Sequence, residues 1–230
     1  MTHCDDSSMP SRLTEYLAAD HAKLQLYLGG AAFSAIGRRY AAKYPKLDPG
    51  LRWFSRNLDK FLGETTPYSG NPELAELACL EAALNSAFEA PVVPLVTVAE
   101  LAQLDATDLE DCTVSLHPSV RRLCFRSNTT SLWAALQCNE LPPRPKRLDA
   151  PQELLVWRQG THPRFRMLGP EEATALSLAL DGIPFGKICR AVATQAPHAG
   201  TNDCAQTYLR GWVEAELVSS IRNLNDAGEK

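Results

Sequence analysis

The chain has little of what catalytic sites are commonly built from. It contains no G-x-S-x-G, no Walker loop, no G-x-G-x-x-G and no H-E-x-x-H. The usual nucleophile elbow, phosphate cradle, dinucleotide turn and zinc-protease helix are therefore not written in it. Five histidines (His3, His21, His117, His162 and His198) include no H-x-H or H-x-x-x-H pair, and seven cysteines include no C-x-x-C. Structural zinc needs ligands clustered within a few residues, so the sequence predicts no metal site and no cofactor bound by this chain. The mid-chain cysteines are expected as reduced thiols used as small buried hydrophobes. Paired acids such as Glu110-Asp111 and Glu171-Glu172 sit where helix ends use them, and His117 precedes a proline in a turn. No catalytic residue is expected, and the chain by itself is not expected to be an enzyme.

Other absences bear on location and partners. No apolar run approaches 18 residues, which argues against a membrane-spanning helix. The opening residues MTHCDDSSMPSRL lack the basic-then-apolar order of a secretion signal, so a cytoplasmic protein is expected. An excess of positive charge is also missing. Twenty-three Lys+Arg against 27 Asp+Glu leave a net charge of −4, which speaks against a general nucleic-acid coat.

What is present is core-forming material: 45% of 230 residues are apolar, enough for one large or two ordinary domains. The clearest boundary is PPRPKRLDAP at 142–151, whose four prolines suit an extended tether. The sequence thus predicts a mainly α chain with a small α+β module: a helical domain over 1–141, a linker over 142–151 and a second domain over 152–230.

The first domain reads as a series of helices. One is expected from about Leu13 to Leu28, stopped by Gly29-Gly30, and the next carries Phe33, Ile36 and Tyr40. Asp48-Pro49 and Asn71-Pro72 each look like a cap with proline at the first helical position. Phe54, Leu58, Phe61 and Leu62 form one stripe, closed by Gly63. Leu74, Leu77, Leu84 and Phe88 form another, lasting until Pro91. Thr97 with Glu100 spells a capping box for a short helix through Leu104, and Ser131–Gln137 is a last helix. Charge is segregated: residues 64–111 hold ten acids and no Lys or Arg, whereas 121–147 hold six Lys/Arg and one acid. Solvated helix faces explain this, as does an acidic face suited to a basic partner.

The second domain changes period. Glu153–Arg158 and Arg164–Leu168 are strand-like runs joined as a hairpin. Gly169-Pro170-Glu171-Glu172 opens a helix lined by Leu176 and Leu180 and ended by Asp181-Gly182. A second helix runs from about Pro184 to Gln195, and a third, with Leu209, Trp212 and Val213, covers about 203–217. A hairpin with three short helices is the outline of a winged-helix-like module.

Two binding chemistries suit that outline. A third helix can read DNA, with phosphate contacts supplying most of the affinity; here it offers only Arg210 and an Asp near its start. Alternatively an edge strand accepts an extended peptide as a further strand. The alternation in Leu154–Trp157 and Arg164–Met167 suits the second, with one face for the core and the other for the guest. Leu154, Val156, Arg158, Arg164, Phe165 and Met167 are then the peptide-binding residues. Arg158, Arg164 and Arg166 would steer an acidic peptide or form a solvated face.

Several stretches of the first domain resemble a known family. They are Trp53-Phe54 with Phe61-Leu62, Pro67-Tyr68, Leu74-Ala75-Glu76-Leu77-Ala78-Cys79-Leu80-Glu81, Leu116-His117-Pro118-Ser119-Val120 and Leu132-Trp133. Together, over about residues 20–137, they resemble the bacterial HvfC/BufC-type domain, once labelled a DNA-binding domain. The sequence departs from that pattern at Ser55, where the family usually has Gly, and at Thr66, where it has Leu. The resemblance implies a partner subunit of the kind found in bufferin, methanobactin and thiaglutamate pathways. Such a subunit holds the leader of a ribosomally made precursor peptide and presents its cysteine to a TIM-barrel, multinuclear non-haem iron oxidase. The iron would belong to the oxidase. Trp53, Phe54 and Trp133 are candidates for the oxidase interface if exposed. The competing readings are a winged-helix DNA-binding regulator and a scaffold without an enzyme partner.

Overall fold

The computed structural model describes residues 8–44, 55–105, 109–195 and 201–223, with the side chains of 8–12 and 201–205 left aside. About 56% of the described residues are helical, accompanied by two small antiparallel sheets. No described helix is long and apolar enough to cross a membrane. Compactness divides the chain differently from the expected break at 142–151. One unit takes 1–85 and 124–152, the other 86–123 and 153–230. The chain therefore passes between units three times, so no linear cut separates them. Residues 147–151 of the expected tether are part of a long strand rather than a free linker.

The first unit contains α1 (Ser8–Asp20), α2 (Ala22–Leu28), α3 (Gly30–Lys43), α4 (Leu58–Glu64), most of α5 (Pro72–Glu89) and, returning later, α7 (Thr129–Gln137). Phe33, Ile36 and Tyr40 on α3 are fully buried, as their spacing predicts. They join Leu17, Leu24, Leu58, Phe61, Leu62, Leu77 and Leu136 in one apolar core. The expected single helix over 13–28 is two helices broken at His21. The break has a physical partner: the Glu81 carboxylate accepts the main-chain N–H groups of Lys23 at 2.7 Å and Leu24 at 3.0 Å. A helix start needs such acceptors because its first N–H groups have none within the helix. Gly37 allows α1 to approach closely, since a Cβ there would lie 2.9 Å from the Thr14 hydroxyl.

The second unit holds the end of α5, α6 (Val98–Leu101), β1 (Cys112–Leu116), the hairpin, α8 (Pro170–Leu180), α9 (Phe185–Gln195), α10 (Thr201–Glu214) and β5 (Val218–Asn223). The Thr97–Glu100 capping box forms as spelled, though its helix ends at Leu101 rather than Leu104. β1 pairs antiparallel with β5, Cys112 opposite Asn223. A second sheet has the order β2-β3-β4, where β2 is Arg121–Ser127, β3 is Arg147–Gln159 and β4 is His162–Met167. The β3–β4 hairpin matches the sequence reading, with Val156 opposite Phe165. Its two-residue turn begins at Gly160, whose φ of 58° is the left-handed region glycine favours. The core of this unit includes Leu155, Trp157, Leu176, Phe185, Ile188, Val192, Leu209 and Trp212.

Several expectations are corrected. β2 and β5 were not expected as strands. Phe88 (60% exposed) and Leu180 (48% exposed) lie outside the stripes assigned to them. Cys79, Cys112, Cys124, Cys138 and Cys189 are free thiols, but among them only Cys112 is buried, and Cys124 and Cys138 are exposed. Asp48-Pro49, Trp53 and Phe54 lie outside the described residues.

Candidate functional site

The six residues expected to hold a peptide are not equivalent. β3 is the middle strand, and its Leu154–Gln159 segment is paired with β4, so that side of Leu154–Arg158 is already taken. Leu154, Leu155, Val156 and Trp157 are all buried, which overturns the expected division of β3 into a core face and a guest face. Of the two hairpin strands, β4 is the outer one, and β2 is the other edge of the sheet. On β4 Arg164 is exposed, Phe165 is partly buried and Met167 is exposed. The three arginines also separate. Arg158 donates to the carbonyls of Phe88 at 3.0 Å and Ala90 at 2.7 Å, so it braces a loop. Arg166 forks onto Glu172 at 2.7 and 2.5 Å, and Glu172 also accepts the Trp212 indole N–H at 2.9 Å. Arg164 forms no ion pair with a described residue. Trp133 is partly buried against the core of the first unit. Arg210 of the would-be DNA-reading helix is paired with Glu214 at 2.8 Å.

The second unit also has a half-open cavity of about 500 Å³ that the sequence did not announce. Its apolar wall is Phe88, Val92, Val93 and Leu95, carried by the end of α5 and the proline-rich segment after it. Arg158 fixes that segment by gripping its first carbonyls. Across from it lie the hairpin turn at Gly160-Thr161, Glu216 and His117.

His117 belongs to the Leu116-His117-Pro118-Ser119 stretch. The Val120 N–H donates to the His117 carbonyl at 2.9 Å, which closes the turn. The ring folds back, and its Nδ1 accepts the Ser119 main-chain N–H at 3.1 Å and lies 2.8 Å from the Ser119 hydroxyl. That hydroxyl oxygen in turn accepts the Arg158 main-chain N–H at 3.1 Å. With Nδ1 accepting, the proton of the neutral ring is assigned to Nε2. His117 is only 5% exposed, and its Nε2 has no hydrogen-bond partner among the described residues. Burial, and then the Arg158 charge, hold the ring below its ordinary value of 6.5, with Glu216 pulling the other way.

Glu216 occupies an unusual backbone position. Its φ is 62°, and the bonds Glu216 N–H to Val213 at 3.0 Å and Leu217 N–H to Trp212 at 2.8 Å end α10 in a Schellman turn. Glycine is the usual residue there. The glutamate is held by the Gly160 N–H, which donates to Oε2 at 2.6 Å.

Among the described residues, no group of three or more His, Cys, Asp or Glu could hold a metal ion. Compared with known proteins, the chain matches no family model and no curated protein.

Proposed function

We propose that the chain is a partner subunit that binds the leader of a ribosomally made precursor peptide and presents its cysteine to a TIM-barrel multinuclear iron oxidase. In this reading catalysis and iron belong to the oxidase, and the two proteins form a cytoplasmic heterodimer. The first 141 residues correspond to the HvfC/BufC-like part. The hairpin with α8, α9 and α10 is the winged-helix-like module that holds the leader.

The observation that carries the reading is the position of β4 at the margin of the β2-β3-β4 sheet. A leader adds there as a further strand, its main chain supplying affinity and its side chains specificity. Phe165 and Met167 already have partners in the free chain, so the leader exchanges those contacts for its own. Arg164, exposed and outside any described ion pair, offers charge to an acidic leader. Holding the leader raises the effective concentration of the distant cysteine at the oxidase, so the reacting residue needs few contacts of its own.

The test uses the full chain produced together with an oxidase and a cysteine-bearing peptide encoded beside it. The expected result is a ternary complex containing iron. Phe165→Pro should lose the peptide and keep the oxidase. Residue 165 faces Val156, and the Leu168 N–H bond to Glu153 sets the alternation that turns the Phe165 N–H away from β3. Unchanged peptide affinity in this variant, or steeply salt-dependent duplex DNA binding without any iron protein, would overturn the proposal.

A further inference from the structure

We infer that the cavity at the hairpin turn binds a large apolar peptide side chain together with the main-chain amide beside it. The inference does not rest on strand addition at β4 or on an oxidase partner, because the cavity is built from other residues of the second unit.

Three observations point to that ligand. The first is the wall. Val92 is 89% and Phe88 60% exposed, and both line the same cavity, so this exposed apolar surface is grouped rather than scattered. Both border a cavity of about 500 Å³, within the range of about 300–1,000 Å³ typical of small-ligand sites. The second is His117, which borders the cavity and, with Nδ1 accepting from Ser119, carries its proton on Nε2, a donor with no acceptor among the described residues. The third is Glu216, kept in a glycine-favouring conformation while its carboxylate binds the Gly160 N–H through one oxygen. Residues held against their backbone preference recur at binding sites.

The chemistry of these groups selects the occupant. Arg158 is taken up by carbonyls and balances the Glu216 charge, so the cavity has no excess charge of either sign. A charged side chain would be desolvated there without a counter-ion. A peptide amide offers what the polar side lacks: its carbonyl accepts from His117 Nε2, and its N–H donates to the second oxygen of Glu216. The adjoining apolar side chain then covers Phe88, Val92 and Val93.

The test titrates the full chain with N-acetyl-L-phenylalaninamide and N-acetyl-L-leucinamide, followed by NMR of the His117 ring and the Gly160 amide. Saturable shifts at both reporters in the millimolar range are expected, with N-acetylglycinamide and N-acetyl-L-aspartamide producing none. Val92→Asp, at a position exposed enough to leave the fold intact, should weaken binding at least tenfold. Arg164→Glu on β4 should leave it unchanged. The inference fails if neither apolar amide gives a saturable shift, if the glycine analogue matches them, or if Val92→Asp binds as well as the parent. It also fails if Arg164→Glu abolishes the response, which would move the site to β4.

Discussion

The main-chain N–H of Arg158 donates to the side-chain oxygen of Ser119 at 3.1 Å, joining the central strand of one sheet to a turn 39 residues earlier. The same hydroxyl meets His117 Nδ1, so Ser119 sets both the hairpin and the imidazole of the cavity. Ser119→Ala leaves a partly buried N–H without its acceptor. The expected loss is about 1–3 kcal/mol of unfolding free energy, measured by denaturant titration. Ser119→Thr, which keeps the hydroxyl, should retain more of it.

Glu81 gives the first unit a pH dependence. Burial pushes its carboxyl up to about 7, against the two main-chain N–H bonds and Lys23, which pull it down. A carboxyl raised in the folded state stabilises fully below its ordinary value of 4.5, and that contribution is lost as pH rises through about 7. Unfolding titrations across this window should show a descending contribution that Glu81→Gln removes. Glu81→Ala should destabilise at every pH by about 1–3 kcal/mol, because α2 loses both acceptors.

The opposite sign is expected at Glu172. Burial works to raise its carboxyl, but the bonds from Arg166 and Trp212 outweigh burial and hold it below 4.5. Its stabilising contribution is therefore present above pH 4.5 and lost as pH falls through the lowered value. Arg166→Ala leaves Glu172 with the indole as its remaining side-chain donor. A loss of about 2 kcal/mol is expected, tempered because the arginine is partly exposed.

Glu216 tests whether backbone strain is kept for a purpose. Glu216→Ala retains the left-handed conformation and loses the bond to Gly160, whereas Glu216→Gly relieves the conformation as well. The glycine variant should be the more stable of the two by about 1 kcal/mol, the reverse of the order inside a helix. Both should bind the apolar amides more weakly than the parent, which calorimetric and NMR titrations can read separately.

Much of the secondary structure was legible because its signals are local. Thr97 and Glu100 lie within one turn and satisfy each other. Asn71-Pro72 and Gly169-Pro170 open helices where proline's missing N–H costs nothing. Phe33, Ile36 and Tyr40 share a face by spacing alone. The candidate site was less legible. Alternation in β3 suggested one free face, yet four consecutive residues are buried, because side chains packed from elsewhere in the chain cover both faces of the strand. Arg158 read as a charge for a guest, whereas its guanidinium holds carbonyls about 70 residues earlier.

The sequence by itself determined the helix starts at Pro72 and Pro170, the turn of the hairpin and the α3 stripe of Phe33, Ile36 and Tyr40, since each depends on neighbours within a few residues. The tertiary structure alone decided that β1 pairs with β5 across more than 100 residues, that Glu81 caps a helix 57 residues away, and that His117, Arg158 and Glu216 meet. Those relations come from distant segments whose hydrogen bonds and buried surfaces exist only after the chain has closed on itself, and no local pattern encodes them.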